Sequence, residues 1–358
     1  MPDKIGKTKR KHSHSTPGHA KRLVKRTTFA AARYLGVNSC VRTTLRHRLL
    51  ALCYHGVIPD SSPADSYRTR NATRLSDFTG QMKTLRRHFT PVSATDVLHH
   101  IETGAPLPPY PVMITFDDGL RNNLTFAAPE LERFEIPALI LVSSDHITKG
   151  HMLWPQELDE RIATWKHATL PMPQTQKDTE LPGDTDARWQ VADRIRAACK
   201  RLPHEERMTY LDRLRQEPLL MMEDWQQDLY SFLSWEEVRQ LDGRGFSIGS
   251  HTVSHPILTT LTPSRLASEL GDSKTHIERE LGKPCPWFAY PNGGKDDFSP
   301  EVVEATRTAG YKMAFTLLGQ NNSRSLNPLT IDRVCITGDL TENEFAARLH
   351  GFWSFLSG

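Results

Sequence analysis

No stretch of this sequence is apolar enough to span a membrane as a helix: the longest apolar run, residues 49–54, falls far short of the roughly 18 residues a span needs. Nor does an apolar core follow the first basic cluster, since the run at 29–32 is cut short at Arg33, so no secretion leader is expected. Cysteine is sparse. The five, at 40, 53, 199, 285 and 335, make no C-x-x-C pair, which excludes a thiolate zinc knuckle or a dithiol centre of that kind. Their odd number excludes a fully paired disulfide framework. They read as small core residues or free thiols, in keeping with a reducing cytoplasm.

Acidic residues are all but missing from the first 50 positions, which hold 13 Lys or Arg against Asp3 alone, a net of +12. The remainder carries 32 basic and 41 acidic residues, a net of −9, so the overall +3 conceals a basic arm on an acidic body. Residues 4–26 lack apolar periodicity and are expected to be disordered. Such an arm offers charge to an anionic membrane surface, as a peripheral contact, or to an acidic partner; a solvated tail without a partner explains it equally well. Its poverty in aromatics argues against nucleic acid.

What is present is an alternation. A strand pattern from Leu49 to Val57 precedes a helical pattern from Ser76, with Phe78, Met82 and Leu85 on one face, and a short helix around 96–101. An apolar strand then runs into PVMITFDDG at 111–119, followed by a helix over 127–134 and a strand at 137–142. Residues 263–281 and 300–309 read as helices and 311–317 as a strand. Strands alternating with helices of this length predict an α/β fold with a parallel sheet. Between Asp145 and Ser234 the alternation stops. Leu158, Ile162 and Trp165, then Trp189, Ala192, Ile195 and Leu202, then Met208, Leu211 and Leu214 mark three amphipathic helices, with a polar Pro- and Thr-rich loop near 171–185. The expected division is a basic arm over 1–47 leading into a short helix, a main body over 48–144 and 234–358, and a helical insertion over 145–233. That insertion is either a lid over the site or a stabilising flank.

Three polar clusters come after three strands. Asp117 and Asp118 end an apolar strand at Gly119, and burying two adjacent carboxylates is costly unless a cation or a proton-transfer role balances them; an ordinary Asp-Gly turn is the bland alternative. His251 and His255, four residues apart, could reach one ion from a single helical turn. With 16 histidines in 358 residues, chance supplies roughly 0.7 such pair, so spacing alone decides nothing. WFAYPNGG at 287–294 is a third strand ending in turn residues. The three clusters converge only if their strands lie parallel and share a carboxyl-end face.

These residues resemble the polysaccharide deacetylases of the NodB-homology type. TFDDG at 115–119 looks like that family's first motif, SHTVSH at 250–255 its second and FAYPNG at 288–293 a variant of its third. The resemblance covers about residues 50–336, apart from the insertion. It implies a distorted, incomplete (β/α) barrel of about seven parallel strands, with Asp117 as general base, Asp118, His251 and His255 as ligands of one divalent metal, and the backbone N–H of Tyr290 as oxyanion donor. Zinc is the default metal, though cobalt and nickel suit the donors. The family's third motif begins with an Arg that orients the base; here Phe288 stands in that place, and Arg333 is the substitute candidate, with a surface ion pair as its plain alternative. For the general acid, RLH at 348–350 matches superficially but lies on a terminal amphipathic pattern. His55, ending the strand LLALCYH, fits better and looks like the permuted layout of poly-N-acetylglucosamine deacetylases. The implied activity is removal of N-acetyl groups from a sugar within an oligo- or polysaccharide, with release of acetate. Cyclic-amide hydrolysis, O-acetyl ester hydrolysis and carbohydrate binding without turnover remain the alternatives.

Overall fold

The structure, a computed structural model, describes residues 46–349 apart from 66, 174, 176, 220, 221, 320, 321 and 339. Residues 1–45 of the basic arm, Cys40 among them, and His350 lie outside the described residues. Strands are β1 Leu50–Tyr54, β2 Gly56–Ile58, β3 Ala72–Arg74, β4 Thr90–Pro91, β5 Pro111–Phe116, β6 Ala138–Val142, β7 Thr169–Pro171, β8 Asp178–Glu180, β9 Ser247–Ser250, β10 Trp287–Ala289, β11 Met313–Thr316, β12 Ile331–Asp332 and β13 Val334–Cys335.

The main sheet runs β12-β11-β10-β9-β6-β5-β1-β13, with β4 beside β5. Its pairings are parallel. Both ends of that order come from one stretch of chain: β12 bonds to β11 through Phe315↔Ile331, and β13 bonds to β1 through Leu52↔Val334. The sheet is thus nearly closed into a barrel, with one unsealed seam where the last strand changes neighbours at Arg333. The Asn322 side chain sits at the seam, donating to the carbonyls of Leu49 and Asp332 and accepting from the Asp332 amide.

The period-2 alternation of strands sorts the side chains into two cores. Ala51, Met113, Leu139, Leu141, Ala289, Met313, Phe315 and Ile331 form one cluster inside the ring, joined by Ala94 and Val97 of the helix Ala94–Thr103. Leu52, Tyr54, Ile114, Phe116, Ile140, Ile248 and Phe288 face outward against the surrounding helices, among them Leu75–His88 and Pro263–Leu281.

The segment expected to be mainly helical carries five helices, Ser144–Lys149, Trp154–Thr164, Thr185–Arg201, His204–Arg215 and Asp224–Tyr230. Where a loop was expected near 171–185, β7 and β8 form a short antiparallel hairpin instead. Trp154, Leu158, Trp189, Ile195 and Leu211 give this layer its own apolar core, and Ile257, from beyond the histidine pair, belongs to it. Tyr67 stacks on Trp189 with ring centroids 4.0 Å apart, tying the loop before β3 to the same layer. No helix among the described residues is long and apolar enough to cross a membrane.

Candidate active site

Alternation along β1 and β5 turns Cys53, Thr115 and Asp117 to the inner face, and the carboxyl ends of those strands bring His55 alongside. Asp118 should then point away. It does not, because the chain leaves the strand at Asp118 with φ +78° and at Gly119 with φ +84°, which swings the second carboxylate back over the barrel mouth. A Cβ at Gly119 would lie 3.0 Å from both Val142 and Ile147, so the turn needs glycine for its space as well as its φ.

The histidine pair does not occupy a helical turn. His251 directly follows β9, and the chain to His255 is an irregular loop with φ +71° at Thr252 and +53° at His255. Such conformations cost about 1–3 kcal/mol each and persist only when surroundings impose them. Glu269, on the helix Pro263–Leu281, does so: its carboxylate accepts from the amides of Val253 and Ser254, both at 2.9 Å, and from the Ser254 hydroxyl at 2.6 Å. Thr252 Oγ1 accepts from the His255 amide.

Asp118 Oδ1 stands 3.6 Å from His251 Nε2 and 3.5 Å from His255 Nε2, too far for good hydrogen bonds. One donor atom from each of the three residues lies within 4.8 Å of the others. A tetrahedral ion with bonds of about 2.0–2.2 Å spaces its ligands roughly 3.3–3.6 Å apart, and two imidazoles with one carboxylate suit zinc and its neighbours. His251 Nδ1 is 2.8 Å from the Ala289 carbonyl, which, as the donor, it would meet with its proton, leaving Nε2 free as a ligand. Burial and Asp117 push the Asp118 carboxyl well above its ordinary range, while burial lowers both imidazoles. The residues present therefore fit a divalent cation, which would supply the missing positive charge.

Asp117 is handled differently. Burial would raise it, but the Arg333 guanidinium overrides that and holds the carboxyl far below its usual range. Arg333 Nη1 and Nη2 donate to the two carboxylate oxygens at 2.6 and 2.8 Å, and Nη1 also donates to Thr115 Oγ1. Arg333 is fully buried, not a surface ion pair. Cys53 Sγ lies 3.4 Å from Asp117 Oδ2. His55, Cys53 and Asp117 likewise bring donor atoms within 4.8 Å of one another. The His55 carbonyl accepts from Asn123 Nδ2, its Nδ1 is buried without a partner, and burial pushes its imidazole down to about 4. His55 and Asp118 share a narrow cleft of about 30 Å³, walled partly by Asp159 of the helix Trp154–Thr164 and Tyr230 of the helix Asp224–Tyr230.

Tyr290 departs from its expected part. Its amide donates to the Phe315 carbonyl in the sheet and its hydroxyl to the Leu329 carbonyl, and the residue is fully buried; neither donor is left for an oxyanion. On the same rim Asn292, at φ +61°, keeps a buried side-chain amide nitrogen without a partner. Sequence reading passed over Asn292, Cys53, Thr115 and Glu269. Only Glu269 carried a signal, as an acid on the buried stripe of its helix between Leu266 and Ile277.

The polysaccharide deacetylase family model matches residues 104–314. YxkH of Bacillus subtilis (strain 168), named as a polysaccharide deacetylase, is 29% identical over 115 residues, which span 32% of this chain and 40% of that protein. The peptidoglycan-N-acetylmuramic acid deacetylase PdaA of the same strain is 30% identical over 78 residues, 22% of this chain and 29% of its own. Among solved structures, the Streptococcus pyogenes deacetylase PplD in complex with acetate superposes with a TM-score of 0.57 at 15% identity, covering 85% of this chain and 99% of that one. IcaB from Ammonifex degensii gives 0.54 at 21% identity, covering 85% and 97%. With the family model matched across most of the chain, and the parallel barrel with its carboxyl-end cluster in place, this protein belongs to the polysaccharide deacetylase family.

Proposed function

We propose that this chain is a metal-dependent hydrolase that removes the N-acetyl group from an N-acetylated sugar, N-acetylglucosamine or a relative, within an oligo- or polysaccharide. The observation that carries this reading is the three-donor cage of Asp118, His251 and His255 beside an Arg-clamped Asp117. Zinc is the metal best matched to that cage, with cobalt and nickel as substitutes. When bound, the cation supplies Lewis acidity that lowers the pKa of a water and polarises a carbonyl, bringing a proton within reach of a carboxylate as weakly basic as Asp117.

In this mechanism Asp117 accepts the proton of the attacking water, and Arg333 fixes both carboxylate oxygens so that the carboxylate neither rotates nor picks up a proton from solvent. His55, neutral at rest, faces the leaving nitrogen and relays to it the proton that Asp117 took from the water, which returns both groups to their starting states. The amide C–N bond breaks, a C–O bond forms, and the products are acetate and an amino sugar. The donor left free for a developing oxyanion is the unpartnered side-chain amide of Asn292 rather than the amide of Tyr290, which the sheet engages. In the same reading the barrel is built from 48–144 and 234–358, residues 145–233 are a lid-like insertion, and the 1–47 arm serves an anionic membrane surface or acidic partner.

The test is acetate release from N-acetylated oligosaccharides, lipid-linked N-acetyl sugars and acetylated xylan, run with Asp117→Asn as control. The near-isosteric amide should keep the metal and lose nearly all turnover. Acetate released from xylan alone would sink the N-acetyl assignment.

A further inference from the structure

A cavity of about 660 Å³ lies between the insertion and the histidine loop, and Ser254 and Pro256, which flank His255, form part of its wall. Its charge is not balanced. Lys149 pairs with Asp145, and Arg215 pairs with Glu157. Arg207 and Arg265 line the same cavity. Arg207 is fully buried, yet among the described residues it has no carboxylate partner. Its contacts are weak: Nη1 reaches the Cys199 and Leu202 carbonyls only at 3.4 and 3.5 Å, Nε has no acceptor, and the guanidinium rests over the Trp154 ring. A buried cation left this way is costly unless something else supplies negative charge.

His204 sharpens the point. Its Nδ1 lies 3.3 Å from Arg207 Nη2 and its Nε2 lies 3.4 Å from Arg265 Nη2. A neutral imidazole has one acceptor nitrogen, so one of these two contacts sets a donor against a donor. Arg265 pairs with Glu269 at 3.8 Å, a carboxylate that also accepts from the amides of Val253 and Ser254, so the unbalanced charge of the set is that of Arg207. The set has three donor groups and too few acceptors.

We propose that this cavity binds an anionic substituent of the saccharide, a carboxylate or a phosphate, on Arg207, His204 and Arg265. The site would select charged glycans and seat the neighbouring sugar beside His255. This extends the carbohydrate reading above. The oxygens of the anion would supply the acceptors that Arg207 lacks and relieve the contact at His204 that sets donor against donor, and a fixed guanidinium fork suits either oxyanion.

Two experiments on the full chain loaded with its metal decide it. Titration with inorganic phosphate, followed by calorimetry, should show binding that Arg207→Met and Arg265→Gln each weaken at least about tenfold. Arg207→Met keeps an apolar stem over Trp154 and removes an unpaired buried charge. Arg265 is 46% exposed at its side chain, so its variant tests the site even if the first fails to fold. Acetate release is then compared on a neutral N-acetylglucosamine oligomer, a carboxylate-bearing one and a phosphate-bearing one. The wild type should show a lower KM on one or both charged chains, and the charge carrying the advantage identifies the source. The variants should erase that difference. Phosphate binding indifferent to both substitutions, or equal KM on all three chains, overturns the anion site while leaving the deacetylase reading intact. Binding that depends on Arg207 without acetate release from any chain leaves the anion site standing and removes the deacetylase reading.

Discussion

At the scale of single residues, Asp117 and Asp118 are adjacent in sequence but electrostatically opposed. One is clamped by a guanidinium and kept ionised, while the other is driven toward protonation until a cation arrives. Replacing Arg333 with Met should therefore do two things. It leaves a buried carboxylate unpaired, which costs roughly 3–5 kcal/mol of stability. It also lets burial raise Asp117, so an acid limb in kcat/KM should move up into the working pH range; a base is active only when deprotonated, and the wild type should lack that limb there. A pH profile that is unchanged in Arg333→Met would show that the clamp does not set Asp117. For the cage, removing any one of three ligands leaves too few for tight chelation. His255→Ala should accordingly lose most bound metal by elemental analysis. Asp117, Asp118 and the histidine pair were legible because they lie in short local motifs. The bidentate contact of Arg333 was legible only as a candidate, since the partners are 216 positions apart in sequence and the pairing depends on how the barrel closes.

At the scale of elements, the pattern of period 2 and period 3.6 located the strands that end in the cluster and most of the helices. It misjudged the segment after β9. Two histidines four apart suggested a helical turn, whereas the loop is shaped by a carboxylate from a helix that begins at Pro263. Glu269→Ala should weaken metal binding by about 10–100-fold, as loss of a group that orients metal ligands typically does. Glu269→Gln, which keeps an acceptor oxygen, should recover part of it. Equal metal affinity in wild type and Glu269→Ala would detach the helix from the site. The Tyr290 amide is committed elsewhere for a related reason. The third motif was read as a strand ending in turn residues, with the Tyr290 amide as oxyanion donor implied by the family resemblance, but that amide bonds to the Phe315 carbonyl just past β10, and the left-handed backbone comes at Asn292.

At the scale of the whole molecule, burial lowers histidines outside the cage as well: His55, to about 4 from an ordinary 6.5, and His146 and His204 in direction. The unfolded chain binds more protons than the folded one between those values, so stability rises with pH across that window and falls as pH drops from 6.5 toward 4. Metal-stripped Asp118→Asn protein, which removes the raised carboxyl whose linkage runs the other way, should therefore unfold at lower denaturant concentration at about pH 5 than at about pH 7, with proton uptake on unfolding. Equal midpoints would mean that these rings are charged in the folded state. The break in the alternation after Asp145 was visible in the sequence, but the β7–β8 hairpin and the ion-lined cavity were not, because both arise from contacts between segments apart in the chain.

The divided last strand also orders assembly in time. β5, β6 and the turn at Asp118 involve neighbours close in sequence, but β13 joins β1 across nearly the whole described chain, and closures of such high contact order come late in folding. Until that closure the Asp117 carboxylate has no counter-ion, so an emerging or refolding chain should gather its metal ligands before it acquires a working base. In pulse-labelled refolding, amide protection should appear across residues 111–142 ahead of residues 334–336, and recovery of turnover should lag behind recovery of metal binding.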